Sequence, residues 1–192
     1  MNKNIAIFAS GSGSNAEKII QYFNARKTAQ VVCIFSNKPD AYVLERAKKY
    51  NIPTQCFPMK DWKQPDLIIQ RLKEFRVDYI ILAGFLLKIP QALIALFPNR
   101  IINIHPALLP KYGGKGMYGK HVHEAVIEAR EKESGITIHY IDENYDEGTT
   151  LFQARCKVMP DDTPESLADR VHLLEHEHFP RVIEQIITAE AK

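Results

Sequence analysis

The chain has 192 residues, 45% hydrophobic and 25% charged, with a formal net charge of +2. That is enough apolar material for one compact domain, and too little positive charge for the basic stripe of a nucleic-acid surface. No run reaches transmembrane length, Ile5-Ala6-Ile7-Phe8-Ala9 is too short for a signal-peptide core, and Cys33, Cys56 and Cys156 have no framework spacing. No membrane partner is expected, and the setting expected is a reducing one, the cytoplasm.

Residues 4–9 are a short apolar run ended by glycine, the pattern of a buried strand. Gly11-Ser12-Gly13-Ser14-Asn15 reads as a turn, followed by a helix to about residue 25. Residues 31–35 are a second strand and 36–40 a loop. A helix over 41–50 is stopped by Pro53, and 54–57 form a short third strand. Residues 67–75 are helical, 78–82 a strand, 93–97 a short helix and 100–104 the next strand. Strands and helices alternate at crossover length, which predicts an α/β fold: a parallel sheet with helices on both faces. The pattern changes after Pro106. Residues 106–120 are a loop rich in Gly, Pro and Lys, 121–130 a helix, and 135–141 and 150–158 strands around an acidic turn. Thr163-Pro164-Glu165 opens a last helix, with Thr as cap and Pro in the first turn.

The glycine turn stands between the first strand and the first helix. Its backbone can approach an anion closely, and the helix N-terminus adds unpaired N–H groups and partial positive charge. Phosphate is the natural guest; the other reading is a plain strand-to-helix turn. A dinucleotide fits less well, because the third glycine of its fingerprint is missing and Ser36 and Asn37 stand where an acid would hold a ribose.

Ile102-Asn103-Ile104-His105 alternates apolar and polar, so Asn103 and His105 share one face of a strand that Pro106 ends. Ligands collect at the carboxyl ends of parallel strands. An amide NH₂ and an imidazole N–H aimed together at a carbonyl oxygen would stabilise an oxyanion, and imidazole also moves protons near neutrality. A carboxylate from 142–147 would raise the histidine's pKa. The other reading is two hydrogen-bonded residues at a strand end, next to an ordinary acidic turn. His172-Leu173-Leu174-Glu175-His176 fits the H-x-x-E-H zinc pattern literally, but it lacks a third ligand. A noncatalytic nucleotide-binding module would explain the glycine turn and leave the Asn-x-His pair without a role.

Six segments carry a resemblance: Gly11-Ser12-Gly13-Ser14-Asn15, Ser36-Asn37-Lys38, Leu82-Ala83-Gly84-Phe85, Asn103-Ile104-His105-Pro106-Ala107-Leu108-Leu109-Pro110-Lys111-Tyr112, Gly135-Ile136-Thr137-Ile138-His139 and Asp146-Glu147-Gly148. In this order, across nearly the whole chain, they resemble the folate-dependent formyltransferase family. The nearest branch is the one that acts on glycinamide ribonucleotide. The resemblance implies a Rossmann-like, mostly parallel twisted sheet in a single domain over 1–192. The first half, 1–100, would bind phosphate and substrate, and the second, 101–192, would carry catalysis and folate binding.

It further implies transfer of a formyl group from 10-formyltetrahydrofolate, a cosubstrate, to the glycinamide amine in purine biosynthesis, with no metal. The protein would be a monomer or a homodimer. Asn103 and His105 would hold the oxyanion, with Asp146 raising the His105 pKa. Gly13, Ser14 and Asn15 would bind the substrate phosphate, and His172, Leu173, Leu174 and Glu175 its ribosyl part. Leu86, Leu87, Lys88 and Ile89 would line the folate pocket, completed by Asn103, Asp142, Glu143, Asn144, Tyr145 and Asp146.

The chain departs from the family's pattern in places. Ala107 stands where serine is more usual and Leu87 where many members have arginine. No arginine precedes the 67–75 helix to meet the folate's glutamate tail. Lys115 and Lys120, in the glycine-rich loop, would replace that charge.

Overall fold

The computed structural model describes residues 2–143 and 146–189. In chain order its elements are β1 (Lys3–Phe8), α1 (Ser14–Arg26), β2 (Ala29–Ser36), α2 (Tyr42–Lys49), β3 (Thr54–Cys56), α3 (Met59–Lys63), α4 (Asp66–Glu74), β4 (Tyr79–Leu82), α5 (Gln91–Leu96), β5 (Ile101–His105), α6 (Lys120–Glu128), β6 (Glu133–Tyr140), β7 (Thr150–Lys157) and α7 (Pro164–Ala189). The strands form one sheet in the order β3-β2-β1-β4-β5-β6-β7. Strands β1 to β5 run parallel, while β6 is antiparallel to β5 and β7 to β6. The sheet is mostly parallel, as its alternating pattern predicts, and it runs unbroken through both halves of the chain.

Alternation along the inner strands gives the sheet two apolar faces. Ile5 and Ile7 of β1 point to one face, where Ile19, Phe23, Val43, Val171 and Ile183 cover them from α1, α2 and α7. Ala6 and Phe8 point to the other, against Trp62, Ile68, Leu72 and Leu93 of α3, α4 and α5. Helix α3 has no strong periodic signal. It is held by Trp62, whose Nε1 donates to the Phe57 carbonyl at 2.9 Å and whose ring lies 4.6 Å from that of Phe85. At the start of α7 the Thr163 Oγ1 accepts the Ser166 N–H at 3.2 Å, and Ser166 Oγ accepts the Thr163 N–H at 3.0 Å. This is the cap the sequence calls for.

The chain runs outward from β1 to β2 and β3, then returns to β4 on the other side of β1. Connections leave the two neighbours in opposite directions, which opens a crevice at their carboxyl ends. Buried Ser10 ties that crevice together. Its N–H donates to the Gly84 carbonyl at 3.0 Å, and its hydroxyl donates to Asn37 Oδ1 at 2.6 Å and accepts the Leu86 N–H at 3.0 Å. The ends of β1, β2 and β4 are thereby fixed relative to one another.

Candidate active site

A cleft of about 830 Å³ opens at these strand ends, within the size range of small-molecule sites. Its first wall is the glycine turn. Gly13 caps α1 in the left-handed region at φ 75°, and a Cβ there would meet Val43 Cγ2 at 2.5 Å. Helix α2 braces the turn: the Val43 N–H donates to the Gly11 carbonyl at 3.1 Å and Arg46 Nε to the Ser12 carbonyl at 2.8 Å. The first N–H groups of α1 lack intrahelical acceptors, and Gly13, Ser14 and Asn15 all line the cleft.

Helix α7 supplies the neighbouring wall. Glu175, 5% exposed, accepts a hydrogen bond from Asn15 Nδ2 at 2.8 Å. Burial raises its carboxyl above the usual range, against the pull of Asn15 and of His172, whose Nε2 lies 3.9 Å away. Of the four substrate residues expected here, His172 and Glu175, three apart on one helix face, reach the cleft. Leu173 does not, being 69% exposed, and Leu174 packs into the core. The zinc-like spacing assembles nothing. The His172 and His176 rings stack 6.3 Å apart, Glu175 turns to Asn15, and no cluster of metal-ligating side chains forms among the described residues.

At the other end stand Asn103, His105 and Asp146. His105 Nδ1 lies 3.6 Å from Asp146 Oδ2, and its Nε2, 2.7 Å from the Tyr112 carbonyl, carries the proton that bond requires. The Gly114 N–H donates to the same carboxylate oxygen at 2.9 Å. For Asp146, burial opposes the charge. The nearby imidazoles of His139 and His105 and the Gly114 N–H outweigh it and hold the carboxyl below its ordinary range.

The expected rise in the His105 pKa is not what results. Asp146 and the Tyr112 carbonyl do push it up, but burial is the larger effect and His139 adds to it, so the imidazole is pushed down. The sequence shows the acid; it does not show how deeply the histidine is buried.

Sequence reasoning gave His139 no role. The β5–β6 register sets it opposite Asn103. Its Nδ1 lies 2.9 Å from the Tyr140 carbonyl and so carries a proton. In the neutral ring Nε2 is then an acceptor, 3.1 Å from Asn103 Nδ2. One amide hydrogen is spent on His139, which leaves the second for another acceptor, and Asn103 lines the cleft. Asp146 Oδ1 lies 3.6 Å from the same His139 nitrogen. The signal was the alternation in Ile136-Thr137-Ile138-His139, which places Thr137 and His139 on one face; the cross-strand partner was not legible.

The remaining wall includes Leu86, Leu87, Lys88, Ile89, Ile141 and Asp142. Glu143 is exposed and outside the lining, and Asn144 and Tyr145 lie outside the described residues. Lys115 and Lys120 both border the cleft, but Lys120 is committed to Glu165 at 3.1 Å and Glu124 at 3.4 Å. Lys115 has no ion-pair partner among the described residues.

The family model described as formyl transferase matches residues 3–183. The chain belongs to the formyl transferase family. It is an enzyme of the transferase class. A phosphoribosylglycinamide formyltransferase of Bacillus subtilis is 36% identical over 190 residues, covering 96% of this chain and 95% of the relative. A chloroplastic phosphoribosylglycinamide formyltransferase of Arabidopsis thaliana is 41% identical over 196 residues, covering 99% of this chain and 67% of the relative. The crystal structure of phosphoribosylglycinamide formyltransferase from Bacillus halodurans superposes with a TM-score of 0.88 at 36% identity, covering 96% of this chain and 95% of that one. The seven-stranded sheet is thus that of the formyl transferase fold.

Proposed function

We propose that this formyl transferase moves the formyl group of 10-formyltetrahydrofolate to the amine of 5-phosphoribosylglycinamide, a step of purine biosynthesis. The observation that carries the reading is the meeting of Asn103, His105 and Asp146 at one end of a cleft whose other end is the Gly11–Asn15 turn. The names of the relatives point to the same acceptor and to transfer of a formyl group.

In this reading the turn and the α1 N-terminus take the phosphate, and Glu175 with His172 takes the ribosyl part. The second Asn103 N–H and the His105 Nε2–H converge on the formyl oxygen. The Tyr112 carbonyl holds that Nε2–H in the free enzyme, and a developing oxyanion is the stronger acceptor. As the amine adds to the formyl carbon, the new C–N bond forms and negative charge collects on oxygen. Collapse breaks the bond to the folate nitrogen, which takes up the proton that the amine loses. His105 and a water held by Asp146 relay it. Holding two reactants in attack geometry supplies much of the rate. The wall Leu86 to Ile89 would take the folate ring and Lys115 its anionic tail.

The test is formyl transfer to glycinamide ribonucleotide with the purified chain. Activity in the parent, lost in folded His105→Ala and Asp146→Ala variants, is expected. A parent that binds both reactants yet never turns over would defeat the proposal.

A further inference from the structure

His123 is buried in the cleft wall and has no role in the mechanism above. It sits on α6, is 2% exposed, and lines the same cleft as the turn and the catalytic residues. Its Nδ1 is buried and has no hydrogen-bond partner among the described residues. An unpaired polar nitrogen in a protein interior is less favourable than an apolar ring of the same size, so packing alone does not explain a histidine here.

Two other histidines of the cleft act on it electrostatically. The charges it feels are those of His172, on the α7 wall beside Glu175, and of His105, the histidine at the end of β5. The cleft that His123 lines is also lined by Asn15, His172 and Glu175 of the phosphate–ribosyl part and by Asn103 and His105 of the catalytic part. Burial first, then the His172 and His105 imidazoles, push its pKa down to about 4, so it is neutral at physiological pH. A neutral imidazole offers one donor and one acceptor, the complement of a hydroxyl or an amide, not of a phosphate. A ring already in the wall turns a nitrogen toward the cleft by rotation about χ2, a soft torsion.

We infer that His123 is a binding residue for the acceptor, hydrogen-bonding the hydroxyl or amide groups between its phosphate and its attacking amine. This rests on the function proposed above and names a contact which that reading lacked. His172 and Glu175 grip one side of the ribosyl–glycinamide span, and His123 meets it from α6. The contact forms in the ground state and is kept in the transition state, so it lowers the acceptor KM and leaves kcat largely alone.

The test compares the parent with His123→Phe, which keeps a ring and loses both nitrogens, and His123→Gln, which keeps a donor and an acceptor. Calorimetry with glycinamide ribonucleotide in the absence of folate gives Kd, and formyl-transfer kinetics give both KM values and kcat. In His123→Phe, acceptor Kd and KM are expected to rise about three- to tenfold, the worth of a neutral hydrogen bond, with the folate KM unchanged. His123→Gln is expected to recover part of the loss. Equal acceptor binding by the parent and the Phe variant overturns the inference, as does a fall in kcat at unchanged KM. Ring-nitrogen NMR of the unmodified chain covers the case in which a variant does not fold. The His123 resonance is expected to move when glycinamide ribonucleotide is added, and an unmoved resonance also overturns the inference. If the parent neither binds nor formylates this acceptor, the proposed function falls and the His123 contact with it. If the parent does both and only the His123 effects are missing, the contact alone falls.

Discussion

At the scale of single residues the site depends on orientation. The Asn103 amide has two hydrogens, and the contact with His139 Nε2 at 3.1 Å decides where the second one points. Removing a donor aimed at an oxyanion typically lowers kcat by about 10²- to 10³-fold, so Asn103→Ala is expected to lose that much with both KM values near the parent's. Removing His139 leaves the donor in place and frees it to turn. His139→Ala should therefore lose less, about tenfold in kcat, because it acts through Asn103 on geometry. Steady-state kinetics on the two variants and their double mutant checks this: a double mutant no worse than Asn103→Ala is expected, and fully multiplicative losses would show that His139 acts elsewhere. Asn103 and His105 were legible in the sequence because strand alternation and Pro106 place them together at a strand end. His139 was not, because its role lies in the register between β5 and β6, which no local pattern records. The expected stretch 172–175 is contiguous, whereas a helix presents only every third or fourth residue to a cleft, so Leu173 faces solvent and Leu174 the core.

At the scale of elements, the phosphate turn is held by two helices that the sequence separates. Gly13 is left-handed and closely packed against Val43 of α2, so Gly13→Ala meets both backbone strain and a clash. A loss of about 1–3 kcal/mol in unfolding free energy is expected from the strain alone, read by urea denaturation, together with weaker acceptor binding. Helix α7 is tied to α1 and to the turn before β2 through Glu184, which accepts from Tyr22 Oη at 2.6 Å, Thr28 Oγ1 at 2.7 Å and Arg26 Nε at 3.2 Å. Truncating Glu184 to Ala strands these donors in a half-buried setting, and a loss of roughly 1–3 kcal/mol follows. The strands and longer helices were readable because apolar runs and 3.6-residue periodicity are local signals. Helix α3 was not: five residues carry less than two turns of pattern, and one tryptophan docking on Phe57 and Phe85 decides their conformation.

At the scale of the whole molecule, burial of histidines couples stability to pH. His123 is pushed down to about 4 from an ordinary value of 6.5, and His105 and His176 are lowered as well, burial being the first cause in each. The unfolded chain takes up these protons near the ordinary value and the folded chain only at lower pH. Between the two values the unfolded state binds more protons, so stability falls as pH drops. Glu175, raised by burial, works in the opposite direction, losing stability as pH rises through the carboxylate range, while Asp146 and Glu184, both held low, add to the loss under acid. The His123 share is separable. His123→Phe changes packing by an amount independent of pH, but it also removes a group that titrates differently in the two states. The difference in unfolding free energy between pH 7 and pH 4 should therefore shrink in the variant by roughly 3 kcal/mol, whatever the offset between the two curves. Urea denaturation of both proteins across that interval measures it, and parallel curves would mean that His123 is open enough to water to titrate at its ordinary value.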